Sequence, residues 1–159
     1  MKFKGPRQFY VDFVLFPVVA GIAIGFGGWH TASILFGFAL FTFVEYWVHR
    51  LALHGLFYHG DHERHHQHPA GYVVFPAWYT PAVFAGFWLV LPLPVFAGFV
   101  LGFVWFIYWH HVLHHFDLAR WPSFVQRYAV WHLKHHHDET VNYGITVPVW
   151  DYVFRTYQR

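Results

Sequence analysis

The sequence predicts an all-α integral membrane protein: four transmembrane helices in two hairpins, joined to a polar helical cap. Three observations predict it. Of 159 residues, 57% are apolar, 25% aromatic and only 11% charged, a balance foreign to a water-soluble domain. The apolar residues gather into runs near the ~20 residues that a spanning helix needs. The ten Lys and Arg residues all fall on one side of those runs, which sets the orientation.

Twenty Phe, ten Tyr and nine Trp exceed what one small aqueous core buries, whereas lipid and its interface tolerate exposed rings. There is no Cys, so disulfides and thiolate metal sites are excluded and any metal must be held by imidazole or carboxylate. The basic residues are too few and too scattered for a nucleic-acid surface.

The first span is expected at about 10–29, with Asp12 as its one charge. Its basic approach, Lys2, Lys4 and Arg7, could begin a secretory leader, but no small-residue cleavage site follows, so the run is read as a membrane span. After a turn around Gly27, Gly28 and His30, the second span covers 31–54. Glu45 is its only charge before His49 and Arg50. His30 and His49 are about 28 Å apart at helical rise, close to a hydrocarbon core of about 30 Å, which predicts opposite membrane faces for them. Residues 55–78 are a His-rich polar stretch running into an uncharged Pro/Gly/aromatic connector suited to the interface. The third span, 79–92, is short. It either begins as far back as Trp78 or enters the membrane partway. Beyond Pro92-Leu93-Pro94 the fourth span covers 94–115, and at Trp121-Pro122-Ser123 an amphipathic helix begins that reaches His137. Lys2, Lys4 and Arg7 precede span one, Arg50 and Arg64 follow span two, and Arg120, Arg127, Lys134, Arg155 and Arg159 follow span four. Both termini, and a cap made of 55–78 and 116–159, are therefore expected on the cytosolic side of a single membrane-embedded domain, 1–159.

Sixteen residues are histidine, and most lie in four clusters: His49 and His54; His62, His65 and His66; His110, His111, His114 and His115; His132, His135, His136 and His137. Residues at i, i+3 and i+4 share a helical face, so each His-x-x-His-His triplet aims three rings at one place. His110 and His114 form an i, i+4 pair, and so do His111 and His115, which are the alternative. His49 and His54 are five apart and meet only if the helix ends or unwinds between them. Ten candidate ligands are too many for one ion and suit two. Outside the paired and triplet spacings, His30, His59, His68 and His137 read as ordinary hydrogen-bonded side chains. Carboxylates that could accept from ligating rings are Glu45, one turn before His49, then Asp117, Asp138 and Asp151. Two other readings are a non-catalytic metal-binding membrane protein and an intramembrane zinc protease. The latter rests on His62-Glu63-x-x-His66 and leaves the other clusters unexplained.

The ordered motifs His-Arg-x-x-x-His, His-x-x-His-His, His-x-x-x-His-His and His-x-x-His-His resemble the fatty acid hydroxylase and sterol desaturase superfamily. Asn142-Tyr143-Gly144 followed by Trp150-Asp151-Tyr152-Val153-Phe154 is similar to that family's closing segment, with Arg155 where members often have Gly. The resemblance implies four membrane helices under a cytosolic cap and two iron ions. Carried over by motif, the metal ligands are His49, His54, His62, His65, His66, His110, His114, His132, His135 and His136, and zinc or another metal is able to take iron's place in a purified sample. It further implies hydroxylation or desaturation by dioxygen of an apolar lipid chain such as a fatty acyl group, with a sterol or carotenoid as the alternative substrate. The electron-carrier domain fused to some members has no counterpart here, so a separate electron-donor protein is expected.

Overall fold

The computed structural model describes residues 6–56, 59–72 and 78–159. Lys2, Lys4 and the centre of the connector, 73–77, lie outside the described residues, as do the side chains of Arg7 and His59. The regular elements of the described residues are all helices, with no strand among them. The elements are α1 (Pro6–Gly27), α2 (Thr31–Trp47) running into a π-helical segment (Val48–Leu56), α3 (His59–Gln67), α4 (Tyr79–Val90), α5 (Leu93–His115), α6 (Ser123–His137) and α7 (Val149–Val153).

Three stretches are long and apolar enough to cross a membrane: Tyr10–Gly27, Thr31–Gly55 and Leu93–His115. We therefore read the chain as an integral membrane protein. Where the third of the four spans is expected, α4 has 12 residues, about 18 Å at helical rise, against a hydrocarbon core of about 30 Å. Pro92 stops it early, because only Leu91 and Pro92 separate it from α5.

The chain divides into two compact units. One comprises 1–42 and 72–107 and is the apolar one. Its core is aromatic: Phe16 meets Phe84 and Phe103 with ring centroids 4.7 Å apart in each case, and Phe41 meets Phe99 at 5.3 Å. Between α2 and α5 the backbones touch. A Cβ added at Gly98 would lie 1.9 Å from the Ile34 carbonyl oxygen, and one at Gly37 1.9 Å from that of Val95. Gly98 and Gly102 share one face of α5, the small-residue pattern that permits close helix packing in lipid. Outward, Val14, Phe26, Leu35, Phe36 and Leu89 are exposed, as suits a lipid-facing surface.

The other unit, 43–71 and 108–159, carries the histidine clusters. Its most deeply buried side chains are Tyr46, His49, Val112, His132, His135, Asn142 and Asp151, each at most 1% exposed. A core so rich in imidazole, amide and carboxylate is unusual, because each buried polar group needs a partner. α6 follows Pro122, whose ψ of 144° is extended, and runs from Ser123 to His137, and it buries Val125, Ala129, His132 and His135 on one face.

Candidate metal centre

The rings gather in two places. In the first group His49, His54, His62, His66 and His135 offer one nitrogen each, all within 4.8 Å of one another; in the second, His65, His110, His114 and His136 do the same. His132 stands beside the second group with its Nε2 2.8 Å from that of His114, outside the 4.8 Å span common to the other four. The ten histidines expected from the motifs are thus all brought together. His111 and His115 face each other at 4.5 Å between ring centroids and belong to neither group.

Local structure explains each placement. Five residues on an α-helix turn through about 500°, leaving side chains about 140° apart. The π-helical segment bonds i to i+5 instead and stacks positions five apart, so Nε2 of His49 and of His54 come within 3.2 Å. This widening takes the place of the expected helix end or unwinding. On α3, His62 and His66 are one turn apart and serve the first group, while His65 serves the second. On α6, His135 and His136 are divided in the same way.

Each group has the same plan. In the first, the rings of His49, His62, His66 and His135 form a closed square with edges of 4.8, 4.6, 4.8 and 4.5 Å between centroids. His54 lies 4.5–4.9 Å from all four. In the second, His65, His110, His132 and His136 form the square, with edges of 4.8, 5.2, 5.0 and 4.8 Å. There His114 is the ring next to all four, at 4.6–4.9 Å. Five rings disposed in this way leave one side of each group without a ring.

The donors fit a metal ion. Nδ1 of His49 donates to the Tyr143 carbonyl at 2.5 Å and that of His135 to the Val141 carbonyl at 2.7 Å, while Nδ1 of His54 meets a Glu139 carboxylate oxygen at 3.0 Å. A neutral imidazole carries one N–H, so the Nε2 atoms of these three rings are bare lone pairs. They nonetheless stand 2.9–3.2 Å apart, a repulsive arrangement that a shared cation reverses. Nitrogens at right angles, each about 2.1 Å from one ion, are about 3.0 Å apart, and in a tetrahedron about 3.4 Å. The observed spacing matches the right-angled positions of a five- or six-coordinate ion. Burial holds His66 down to about 4 and His135 to about 3. Burial first, and then repulsion from neighbouring rings, also push His62, His65, His132 and His136 well below the ordinary imidazole range, so their lone pairs are free at neutral pH.

The supporting carboxylates differ from those expected. Glu45 accepts from the backbone N–H groups of Ile145 (2.5 Å) and Thr146 (2.9 Å), not from a ring. Asp117 accepts from Ala119 N, and Asp138 from the N–H and hydroxyl of Thr140, both in local turns. Asp151 acts at one remove. It accepts from Tyr143 N and Gly144 N, each at 2.8 Å, and from the Thr156 hydroxyl at 2.7 Å. It thereby fixes the peptide whose carbonyl holds His49. Burial pushes the Asp151 carboxyl up, against the opposing effect of these hydrogen bonds. A relay feeds the same carboxylate: Arg50 donates to the Tyr46 hydroxyl (2.9 Å), and Tyr46 to Thr156 (3.0 Å).

Three contributors escape sequence reasoning. Glu139 contacts His54 and has its other oxygen 3.6 Å from His66 Nδ1. The carbonyls of Val141 and Tyr143 are backbone atoms with no residue signature, and the signal that could have found them is the closing segment itself. Glu63, the general base in a protease reading, is exposed and accepts from Gln67 on its own helix, while His62 and His66 share their nitrogens with three further rings.

A profile described as fatty acid hydroxylase matches residues 34–156. A fatty acid 2-hydroxylase of Mus musculus is 32% identical over 76% of this chain and 38% of its own length. A dihydroceramide fatty acyl 2-hydroxylase of Arabidopsis thaliana is 31% identical over 77% of this chain and 59% of its own, and a ceramide very long chain fatty acid hydroxylase of Schizosaccharomyces pombe 35% over 77% and 41%. The chain thus spans less than two thirds of these relatives. A solved structure described as full-length scs7p with only the hydroxylase domain visible superposes with a TM-score of 0.70 at 24% identity, covering 95% of this chain and 67% of that one, which is a likeness of fold. With its four histidine motifs and closing segment inside the matched region, the chain belongs to the fatty acid hydroxylase family.

Proposed function

We propose that this chain is a single membrane-embedded hydroxylase domain that holds two iron ions and uses dioxygen to hydroxylate an apolar lipid chain, such as the acyl chain of a fatty acid or ceramide. The observation that carries this reading is the convergence of ten imidazoles from four separate motifs into two five-ring groups. The relatives' descriptions, which name fatty acids and ceramide, support the substrate class. By the distribution of Lys and Arg, the metal-binding unit faces the cytosol, where a separate protein supplies electrons.

His49, His54, His62, His66 and His135 would hold one ion, and His65, His110, His114, His132 and His136 the other. Iron bound there supplies dioxygen activation and cleavage of an alkyl carbon-hydrogen bond, chemistry no side chain performs. The protein's own contribution is position. Neutral rings present lone pairs, the Tyr143 and Val141 carbonyls keep protons on Nδ1, and Glu139 supplies negative charge beside a set of otherwise uncharged ligands. The side of each group without a ring is where a co-substrate would approach an ion held there.

The test is metal analysis of anaerobically purified protein, with lipid profiling of cells that do and do not express it. Two irons per chain and a hydroxylated acyl product are expected. His65→Ala and His135→Ala each lose metal and product together; normal product from either variant refutes the reading.

A further inference from the structure

The two groups are alike in their rings but not in what stands behind the rings. In the first, three of five Nδ1 atoms are held: His49 by the Tyr143 carbonyl, His135 by the Val141 carbonyl and His54 by Glu139. Glu139 also lies 3.6 Å from the Nδ1 of His66. In the second group, the Nδ1 atoms of His65, His114, His132 and His136 are buried with no hydrogen-bond partner among the described residues. All the acceptors of the first group come from one short stretch, Glu139 to Tyr143, that follows α6 directly.

A ring that ligates through Nε2 keeps its proton on Nδ1, and the acceptor for that proton aims the ring and raises its basicity. Losing one such partner typically costs ~10–100-fold in metal affinity. The first group has three such partners and the second has none on the four rings named. A carboxylate at 3.0 Å also offsets the charge of an ion held only by neutral imidazoles, and His54 of the first group has one in Glu139.

Resting on the reading that ten histidines hold two ions, we propose that the ions bind unequally. The first group fills first and tightly, the second fills later and exchanges readily, and Glu139 is a positioning residue for the tight site. The order in which the centre assembles and loses metal is then fixed by the 139–143 stretch.

The experiment uses the full chain in detergent, stripped of metal and titrated with Zn2+ against chelators of graded strength. Two ions should bind in steps separated by at least ~10-fold in affinity. Glu139→Ala should weaken the tight step by ~10–100-fold and leave the weak one unchanged, while Glu139→Gln, which keeps an acceptor oxygen, should recover part of the loss. His114→Ala should abolish the weak step alone. Equal affinities, a Glu139→Ala effect confined to the weak step, or loss of the tight step in His114→Ala overturns the proposal. The His114→Ala result decides the matter even if the Glu139 variants fail to fold, as judged by far-UV circular dichroism. Uptake of fewer than two ions per chain overturns the two-ion reading beneath it.

Discussion

Asparagine at position 151 would keep the shape of the aspartate and remove one acceptor. Asp151 is fully buried. One of its oxygens takes Tyr143 N and the Thr156 hydroxyl, the other Gly144 N. The less costly orientation of the new amide sets its NH2 against Gly144 N, leaving a buried N–H without an acceptor, at about 1–3 kcal/mol. The two remaining bonds become neutral ones, about half as strong as before. A loss of about 2–4 kcal/mol follows, which at this chain length lowers Tm on the order of 10 °C. The assay is thermal unfolding of the metal-free protein in detergent, followed by tryptophan fluorescence. A Tm within about 2 °C of the parent would refute the claim that this carboxylate holds the 143–144 peptide. Because that peptide's carbonyl holds His49, Zn2+ binding should weaken as well, by ~10–100-fold.

Four further outcomes are expected. Gly98→Leu brings a side chain to a point 1.9 Å from a carbonyl oxygen, so α2 and α5 must separate; the yield of folded protein on size-exclusion chromatography should collapse, and wild-type yield would contradict the close contact. Arg155 has a φ of 59°, a region that costs a non-glycine residue about 1–2 kcal/mol, so Arg155→Gly should raise Tm slightly and Arg155→Val lower it by several degrees. Acid should destabilise the metal-free protein: the unfolded histidines take up protons near 6.5, whereas folded His66 and His135 stay neutral down to about 4 and about 3. The unfolded state therefore binds more protons in that window, stability rises with pH across it, and Tm at pH 5 should be below that at pH 7.5. Glu63→Gln should leave metal content and product unchanged, since that carboxylate is exposed; loss of activity there would revive the protease reading.

Much of this was legible in the sequence where chemistry follows helical spacing. The triplets His62-x-x-His65-His66 and His132-x-x-His135-His136 occupy helical segments, and α6 runs to His137, where the amphipathic pattern predicts it. Spacing could not separate His110 and His114 from His111 and His115, since both are i, i+4 pairs and only the rotation of α5 decides between them. Nor does it reveal that adjacent residues, His65 and His66, divide between two groups, because that depends on what faces each side of α3. The π-helical turn is a departure from regular geometry that carries no residue signature. Glu45 and Asp151 were legible as candidate supporting carboxylates, but not that their partners are backbone amides, roughly 100 residues away for Glu45 and 8 for Asp151.

His65 and His66, like His135 and His136, are neighbours along the main chain, and in both pairs the ring centroids are 6.1 Å apart. Two covalent links of equal length therefore tie one pocket to the other. They act as a gauge that sets the separation of the pockets without reference to what occupies them. Tilting or sliding either helix as a whole carries a ring of each pocket with it, whereas replacing a single side chain within one pocket leaves these links in place.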